Sequence, residues 1–450
     1  ILEQHSGRIK IDTIGRTWEG RPLIVLKASS PDNIRNSEQI RQQHIETINK
    51  AKENRIVSNE AQPALVFLGF SVHGNETSAA EASILTAYYL AAAEDPAVKT
   101  SLAKGIFFID PVRNPDGYDR YVNWVNANAA FPPNGSPLDR EHNEVWPGGR
   151  TNHYWFDLNR DWINQKLNKR GNITIASAST GYSGKGIDLG SSGFKSLAPQ
   201  NALLLTGNGI SAYEAGEVWY TFERQLEQPI LRLNLDQFSR VNLEEYQVLV
   251  LASGEYTGLS SAAIERIRAW VKNGGTLIAF GRTGQWLAGQ KIASFQFLDG
   301  RSDSVVPKEE KPTKTKERFD YASAQGREGT KRIGGTYFNT EIDRTHPIGY
   351  GYTQKTKPVY RNHTLFVELG DQAYNNVAIY SKSPLLNGYA SAENQKNITG
   401  TASIIVENSG NGRIVYFVDD PLFRGISFGN ARSFFNAVLL GQVLQSGIRR

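Results

Sequence analysis

The chain has 450 residues, a net charge of +5, and 39% apolar and 21% charged residues. That length is too great for one ordinary core, so two or more domains are expected, and the balance of residue types excludes a disordered chain. No apolar run reaches the length of a membrane span, and the charge is too mild and too dispersed to mark a nucleic-acid surface.

Cysteine is absent, which excludes disulfides, thiolate metal sites and a cysteine nucleophile. Methionine is absent as well, although it is a common filler of apolar helices. In a chain of this length that reads as a loss of residues. Ile1, with no initiator methionine and no signal peptide, reads as the start of a processed or trimmed chain.

In chain order, SGRIKIDTIGRTWEGRPLIVLKAS (6–29) alternates and turns at Gly15 and Gly20, as a β-hairpin does. Residues 35–52 read as a polar helix. PALVFLGF (63–70) is a continuous apolar run, expected as a strand buried on both faces. SAAEASILTAYYLAAAE (78–94) is helical, with Ser78 and Glu81 at capping-box spacing. KGIFFIDP (104–111) is a second buried strand, and NPDG (114–117) reads as a tight turn. Residues 123–155 lack periodicity but are too aromatic for disorder, so they read as a functional loop. A second strand–helix rhythm begins near Gln200, with strands at 201–210, 246–256 and 276–281 and helices at 214–226 and 260–275. A hairpin at 402–421 and a helix near 430–445 close it. The basic stretch KEEKPTKTKER (308–318) mixes in acids and reads as a solvated loop. The fold class is α/β, with both halves built on mainly parallel sheets.

Two constellations carry chemistry. In FSVHGNETSAAE (70–81), His73 and Glu76 sit at the carboxyl end of a predicted strand, just before a helix. Open α/β sheets bind ligands at that place, and His and Glu suit zinc. An isolated H-x-x-E also fits a polar loop whose Glu76 favours the positive end of the next helix. In FDLNRDW (156–162), Arg160 can fork onto a carboxylate while Asn159 adds a donor. The alternative is an ion pair of Arg160 with Asp157 or Asp161.

HGNE, NPDGYDR and DLNRDW, in that order and spacing, resemble the M14 zinc carboxypeptidase family over roughly residues 8–165. The resemblance implies a zinc-dependent hydrolase that removes C-terminal residues from peptides. It implies His73 and Glu76 as Zn2+ ligands, and Asn159 and Arg160 as the site for the terminal carboxylate of a peptide or protein. Arg120 is the nearest candidate for the arginine that polarises the scissile carbonyl, although its spacing fits poorly. NEVWPGGRTNHYWFDLNRDW (143–162) is similar to a large, exported bacterial subgroup, which implies a periplasmic or extracellular place. Residues 200–450 are similar to the class I glutamine-amidotransferase-like domain that follows in that subgroup. The implied layout is a carboxypeptidase-like α/β/α domain at 1–165, a connecting segment at 166–199 and a doubly wound α/β domain at 200–450. No nucleic acid and no membrane span is implied, and the oligomeric state is left open.

The sequence departs from the family in one respect. The third zinc ligand is expected as a histidine after the Asn–Arg pair, and the general-base glutamate later still. No histidine occurs between His153 and His346, and His142 and His153 both precede the pair. Two readings follow. Either an internal block after about Gln165 is missing, as the absent methionines and the thin first core suggest, or this is a degenerate homologue that binds peptides or cell-wall fragments without cutting them. In the second half LVLASGEYTG places Ser253 on a strand-end turn, where a nucleophile would need a base such as His346.

Overall fold

A computed structural model describes residues 2–52, 62–160, 197, 200–298, 320–372 and 374–444. The chain divides into two compact units, Ile1–Ile163 and Asn164–Arg450. The segment expected as a connector at 166–199, apart from residue 197, lies outside the described residues, as do Asp161 and the basic stretch at 308–318. Among the described residues no helix is long and apolar enough to cross a membrane.

The first unit holds a four-stranded sheet. β1 (Ile9–Arg16) and β2 (Pro22–Ala28) form the expected antiparallel hairpin, with Gly20 at φ 82° in its turn. β3 (Ala64–Gly69) and β4 (Gly105–Asp110) run parallel, and the order is β1-β2-β4-β3. The crossover between β3 and β4 is made by helices Thr77–Ala92 and Pro96–Lys104. Asp95 starts the second of these by accepting the Val98 N–H, with Pro96 in the first turn where its missing N–H costs nothing. Small residues on one side of helix Thr77–Ala92, Ala87 and Ala91 with Leu90, share a core with Ile9, Ala28 and Ile109 of the sheet and Leu102 of the next helix.

Two expectations are corrected here. Among the described residues β3 lies at the end of the sheet and is not buried on both faces: Leu65 and Phe67 are 45% and 50% exposed. An apolar run reports what a strand could bury, not which neighbours exist to bury it. NPDG is not a free-standing tight turn but the start of helix Pro115–Asn128. The Asn114 side chain accepts the Gly117 N–H at 3.0 Å, so the same Asn-Pro chemistry that makes turns here caps a helix.

The second unit is a nine-stranded mixed sheet. Its strands are β5 (Ala202–Thr206), β6 (Leu231–Asn234), β7 (Val248–Leu251), β8 (Thr276–Phe280), β9 (Thr336–Ile342), β10 (Thr356–Arg361), β11 (Asn376–Asn387), β12 (Ala402–Ser409) and β13 (Gly412–Phe417). The order is β10-β9-β11-β12-β13-β8-β7-β5-β6. β13, β8, β7, β5 and β6 are parallel to one another; the pairs from β13 out to β10 are antiparallel. β5, β7 and β8 are buried along their whole length, as continuous runs of Leu, Val, Ile and Ala require when helices cover both faces. The antiparallel wing of β9 to β11 has no counterpart in the sequence reading.

Candidate functional site

Two chain segments meet at the carboxyl end of β3. The loop after β3 carries His73 and Glu76 ahead of helix Thr77–Ala92. It is tied to the loop after β4 by backbone bonds from Arg113 N–H to Phe70 O (3.0 Å) and Asn114 N–H to Ser71 O (3.2 Å). Ser71 takes a left-handed φ of 45°, rare for a residue with a side chain. Its hydroxyl donates to the Glu76 carbonyl at 3.1 Å.

Glycines explain why the separated motifs come together. A Cβ on Gly74 would lie 2.1 Å from the backbone of Gly117 and Tyr118, and one on Gly117 2.4 Å from the Gly149 carbonyl. Backbone therefore packs directly on backbone where HGNE, NPDG and PGGR meet, and any side chain at these positions would push them apart. Asn75 adds a bond from its amide to Glu144 Oε2 at 3.0 Å, while Glu144 also accepts the Gly149 N–H.

His73 is only 5% exposed and is held on both sides of its ring. Nδ1 lies 2.8 Å from Glu76 Oε1, and Nε2 lies 2.9 Å from Asp157 Oδ1. Asp157 also accepts from Arg150 Nη2 (3.1 Å) and from the Asn159 N–H (2.9 Å). Burial alone would raise its pKa; the bonds from His73, Arg150 and Asn159 outweigh that and hold it below the usual carboxylate range. Both ring nitrogens face carboxylates; the tautomer that donates Nε2–H to Asp157 leaves the Nδ1 lone pair on the Glu76 side, as a cation at Nδ1 needs.

Sequence reasoning missed Asp157, which it placed only as an ion-pair partner of Arg160. The structure gives Asp157 to His73 and Arg150. Asn159 and Arg160 follow on one helical turn, Leu158–Arg160, so the segment that orients His73 also carries the Asn–Arg pair. The Arg160 side chain is outside the described structure. Arg120 is turned to backbone oxygens: Nη1 to Gly148 O at 2.8 Å and Nη2 to Asn152 O at 3.1 Å. Desolvation lowers its pKa. In this arrangement it pins the 148–152 loop. His153 faces Glu19 Oε1 at 3.0 Å, and the His142 ring faces the Asn134 carbonyl.

Zinc is tested by the donor set. His73 and Glu76 offer two donors on one side, and Asp157 lies across the ring, so these three do not converge. No group of three His, Cys, Asp or Glu that could hold a metal occurs among the described residues. Residues 161–199 contain no histidine, cysteine or glutamate; their carboxylates are Asp161 and Asp188. The residues present fit two of the three protein ligands of a catalytic zinc site and not the third.

In the second unit Ser253 and His346 are each otherwise engaged. Ser253 Oγ accepts the Arg282 N–H at 3.1 Å, and its own N–H donates to Glu214 Oε2 at 2.9 Å. His346 Nδ1 accepts the Ile348 N–H at 3.2 Å, and burial lowers its pKa. A nucleophile–base pair is not what the turn at 253 presents.

Residues 1–189 match the family model described as zinc carboxypeptidase. No curated protein matches the chain. Among solved structures, carboxypeptidase A from Helicoverpa armigera is 18% identical, over 26% of this chain and 22% of that one, with a TM-score of 0.18. A ThuA-like protein from Parabacteroides merdae is 13% identical, over 56% of this chain and 93% of that one, with a TM-score of 0.37. A beta-galactosidase from Bacillus circulans is 11% identical over 54% and 30%, with a TM-score of 0.32. Likenesses this loose carry no further argument.

Proposed function

From the match of residues 1–189 to the zinc carboxypeptidase family model, we propose that the first unit is a metallocarboxypeptidase-type site that acts on the C-terminal ends of peptides. His73 and Glu76 are its metal pair, Asp157 positions His73, and Asn159 with Arg160 receives the terminal carboxylate. The observation that carries this reading is the clamped imidazole: a buried His73 whose Nε2 is fixed by Asp157 and whose Nδ1 faces Glu76. A structural histidine needs one good partner. One held on both sides by carboxylates, at the carboxyl end of a strand, is arranged to present a lone pair in one direction.

Zinc, when bound, supplies a Lewis acid and a bound water of lowered pKa. Two protein donors hold it loosely, so hydrolysis requires a third donor beyond the described residues. That shortfall favours a second reading, a unit that binds peptide C-termini and does not cut them. The chain's own residues serve both readings alike, because the Asn–Arg pair and the orienting Asp157 act on substrate and ligand geometry, not on the bond that breaks.

Metal analysis of the purified full chain, with mass spectrometry of a peptide incubated with it, decides between them. Stoichiometric zinc removed by chelator, with chelator-sensitive loss of single C-terminal residues, establishes the hydrolase. Peptide binding that needs the free carboxylate, without zinc or cleavage, establishes the binder. Peptide binding indifferent to the terminal carboxylate, with no metal, overturns both. Residues 200–450 are proposed as an accessory α/β domain of amidotransferase-like type, without the cysteine that such chemistry uses.

A further inference from the structure

Immediately before Asp157 the chain closes a small loop on itself. The Trp155 N–H donates to the Asn152 carbonyl at 3.1 Å, and the Asn152 N–H to the Phe156 carbonyl at 3.0 Å. Asn152 Oδ1 accepts the Phe156 N–H at 2.9 Å. Trp155 completes this turn with a left-handed φ of 63°. Three-residue loops closed in this way ordinarily place glycine at that point, because a side chain there crowds its own backbone. A residue as bulky as tryptophan is poorly suited to it. Such a conformation persists only where surrounding contacts impose it, and it gathers at sites whose geometry is functional. The contacts are present here. The buried Trp155 indole packs edge-on against Trp146, with centroids 4.7 Å apart. Tyr154, fully buried, packs edge-on against Trp18 of the β1–β2 turn at 5.3 Å. Arg120 Nη2 donates to the Asn152 carbonyl at 3.1 Å. Two residues beyond Trp155, Asp157 reaches His73 Nε2 at 2.9 Å and accepts the Asn159 N–H at 2.9 Å.

We propose that Trp155 is a positioning residue: its left-handed backbone turns the chain so that Asp157 meets His73 and the Leu158–Arg160 turn begins beside it, while the indole, packed on Trp146, holds that backbone state. The link to His73 stands on the contacts above. That the Asn–Arg pair of the same turn then receives a terminal carboxylate rests on the function proposed for this site. A positioning role and a space-filling role rank substitutions differently. If the indole only fills space, valine replaces it better than glycine, which leaves the larger void. If the left-handed backbone is what matters, glycine replaces it better, because glycine takes that state without strain and a β-branched residue resists it.

The test uses the full chain in EDTA, with its histidines labelled with nitrogen-15, and reads the ring N–H proton that His73 shares with Asp157. Held in a buried hydrogen bond, that proton gives a downfield resonance, assigned by its disappearance in His73→Gln. Trp155→Gly is expected to keep the resonance and Trp155→Val to lose it, with circular dichroism showing that both are folded. Loss in Trp155→Gly, persistence in Trp155→Val, or absence from the parent overturns the proposal. Should Trp155→Val fail to fold, Trp155→Gly decides alone: a folded variant that keeps the resonance supports the proposal and one that loses it overturns it. Fluorescence anisotropy of fluorescein-labelled pentaalanine and of its C-terminal amide then separates this inference from the reading of the Asn–Arg pair. The parent and Trp155→Gly should prefer the free carboxylate at least tenfold, and Trp155→Val less than twofold. A parent that binds acid and amide alike removes the carboxylate reading, while the His73 resonance still decides the role of Trp155. A preference that survives in Trp155→Gly although the resonance is lost keeps the carboxylate reading and overturns the positioning role.

Discussion

Three carboxyl groups at the carboxyl edge of the second sheet should make that unit lose stability as pH rises. Glu214 and Glu217 lie on helix Ala212–Tyr220, and Asp420 follows β13. Glu214 accepts the Ser253 N–H, Glu217 Oε1 the Arg424 N–H at 2.6 Å, and Asp420 Oδ1 the Leu422 N–H at 2.8 Å. Burial raises all three pKa values; the charge of Asp420 adds to it at Glu214 and Glu217, whereas at Asp420 the bonds with Glu217 and the Leu422 N–H oppose it; Glu214 is pushed up to about 8, with the Ser253 N–H and Arg282 opposing. A raised carboxyl keeps in the folded state a proton that the unfolded chain has released, so stability is full below pH 4.5 and falls until the folded pKa is passed. For Glu214 the window runs from 4.5 to about 8. At about 1.4 kcal/mol for each tenfold change in proton affinity, the ceiling is ~5 kcal/mol, and partial exposure to solvent with Arg282 nearby brings the expectation to about 2–4 kcal/mol. Urea unfolding of the full chain between pH 5 and 8, with hydrogen exchange read at residues 212–220, measures it. Glu214→Gln keeps an acceptor for the Ser253 N–H and should remove Glu214's share of the slope, leaving the variant more stable than the parent at pH 8. Stability that is flat or rising across this window, or a slope unaltered by Glu214→Gln, would refute the argument.

The opposite sign is expected at Lys357. Burial lowers its pKa to about 7 against the pull of Asp419, and its ammonium meets Ser433 Oγ at 3.5 Å and the Tyr352 ring at 5.9 Å from the centroid. Its neutral form makes the second unit gain stability between pH 7 and 10.5, and Lys357→Met should stabilise it by about 1–4 kcal/mol at pH 7 and flatten that rise, as urea unfolding would show. Asp157→Asn should weaken zinc binding to the full chain about 10- to 100-fold in a calorimetric titration, because the imidazole loses the partner that fixes its tautomer. An unchanged affinity would mean that His73 is not a ligand. Gly74→Ala places a methyl 2.1 Å from the backbone of Gly117 and Tyr118, and should cost the first unit about 3 kcal/mol or more in thermal unfolding.

What could be read in the sequence was whatever depends on near neighbours. The hairpin at 6–29, the helix after Glu76 and the buried strands β5, β7 and β8 follow from alternation, capping and apolar runs, each a property of adjacent residues. β3 was legible as a strand, but its place at the end of the sheet among the described residues was not, because that depends on which strands pair with it. The wing of β9 to β11 escaped for a related reason: Thr, Tyr, Asn and Lys on half-exposed strands blur the alternation. At the candidate site the order of motifs was readable, and so were His73 and Glu76. Asp157 was not, although it lies two residues before Asn159. Its role depends on a contact 84 positions away, and in the sequence it competes with Asp161 for the same arginine. Arg120 is the converse case. Position after NPDG suggested a group aimed at substrate, whereas three backbone oxygens of the 148–152 loop surround its guanidinium. An arginine's reach lets it serve either purpose, and only the location of unpaired acceptors decides which. The motif glycines point the same way. Gly74, Gly117 and Gly149 look like turn residues one at a time, yet their common function is to let three backbones touch. A motif of this kind therefore records an assembly of segments as much as a set of reacting groups. That is why its order along the chain stays informative even where one of the expected ligands has no counterpart.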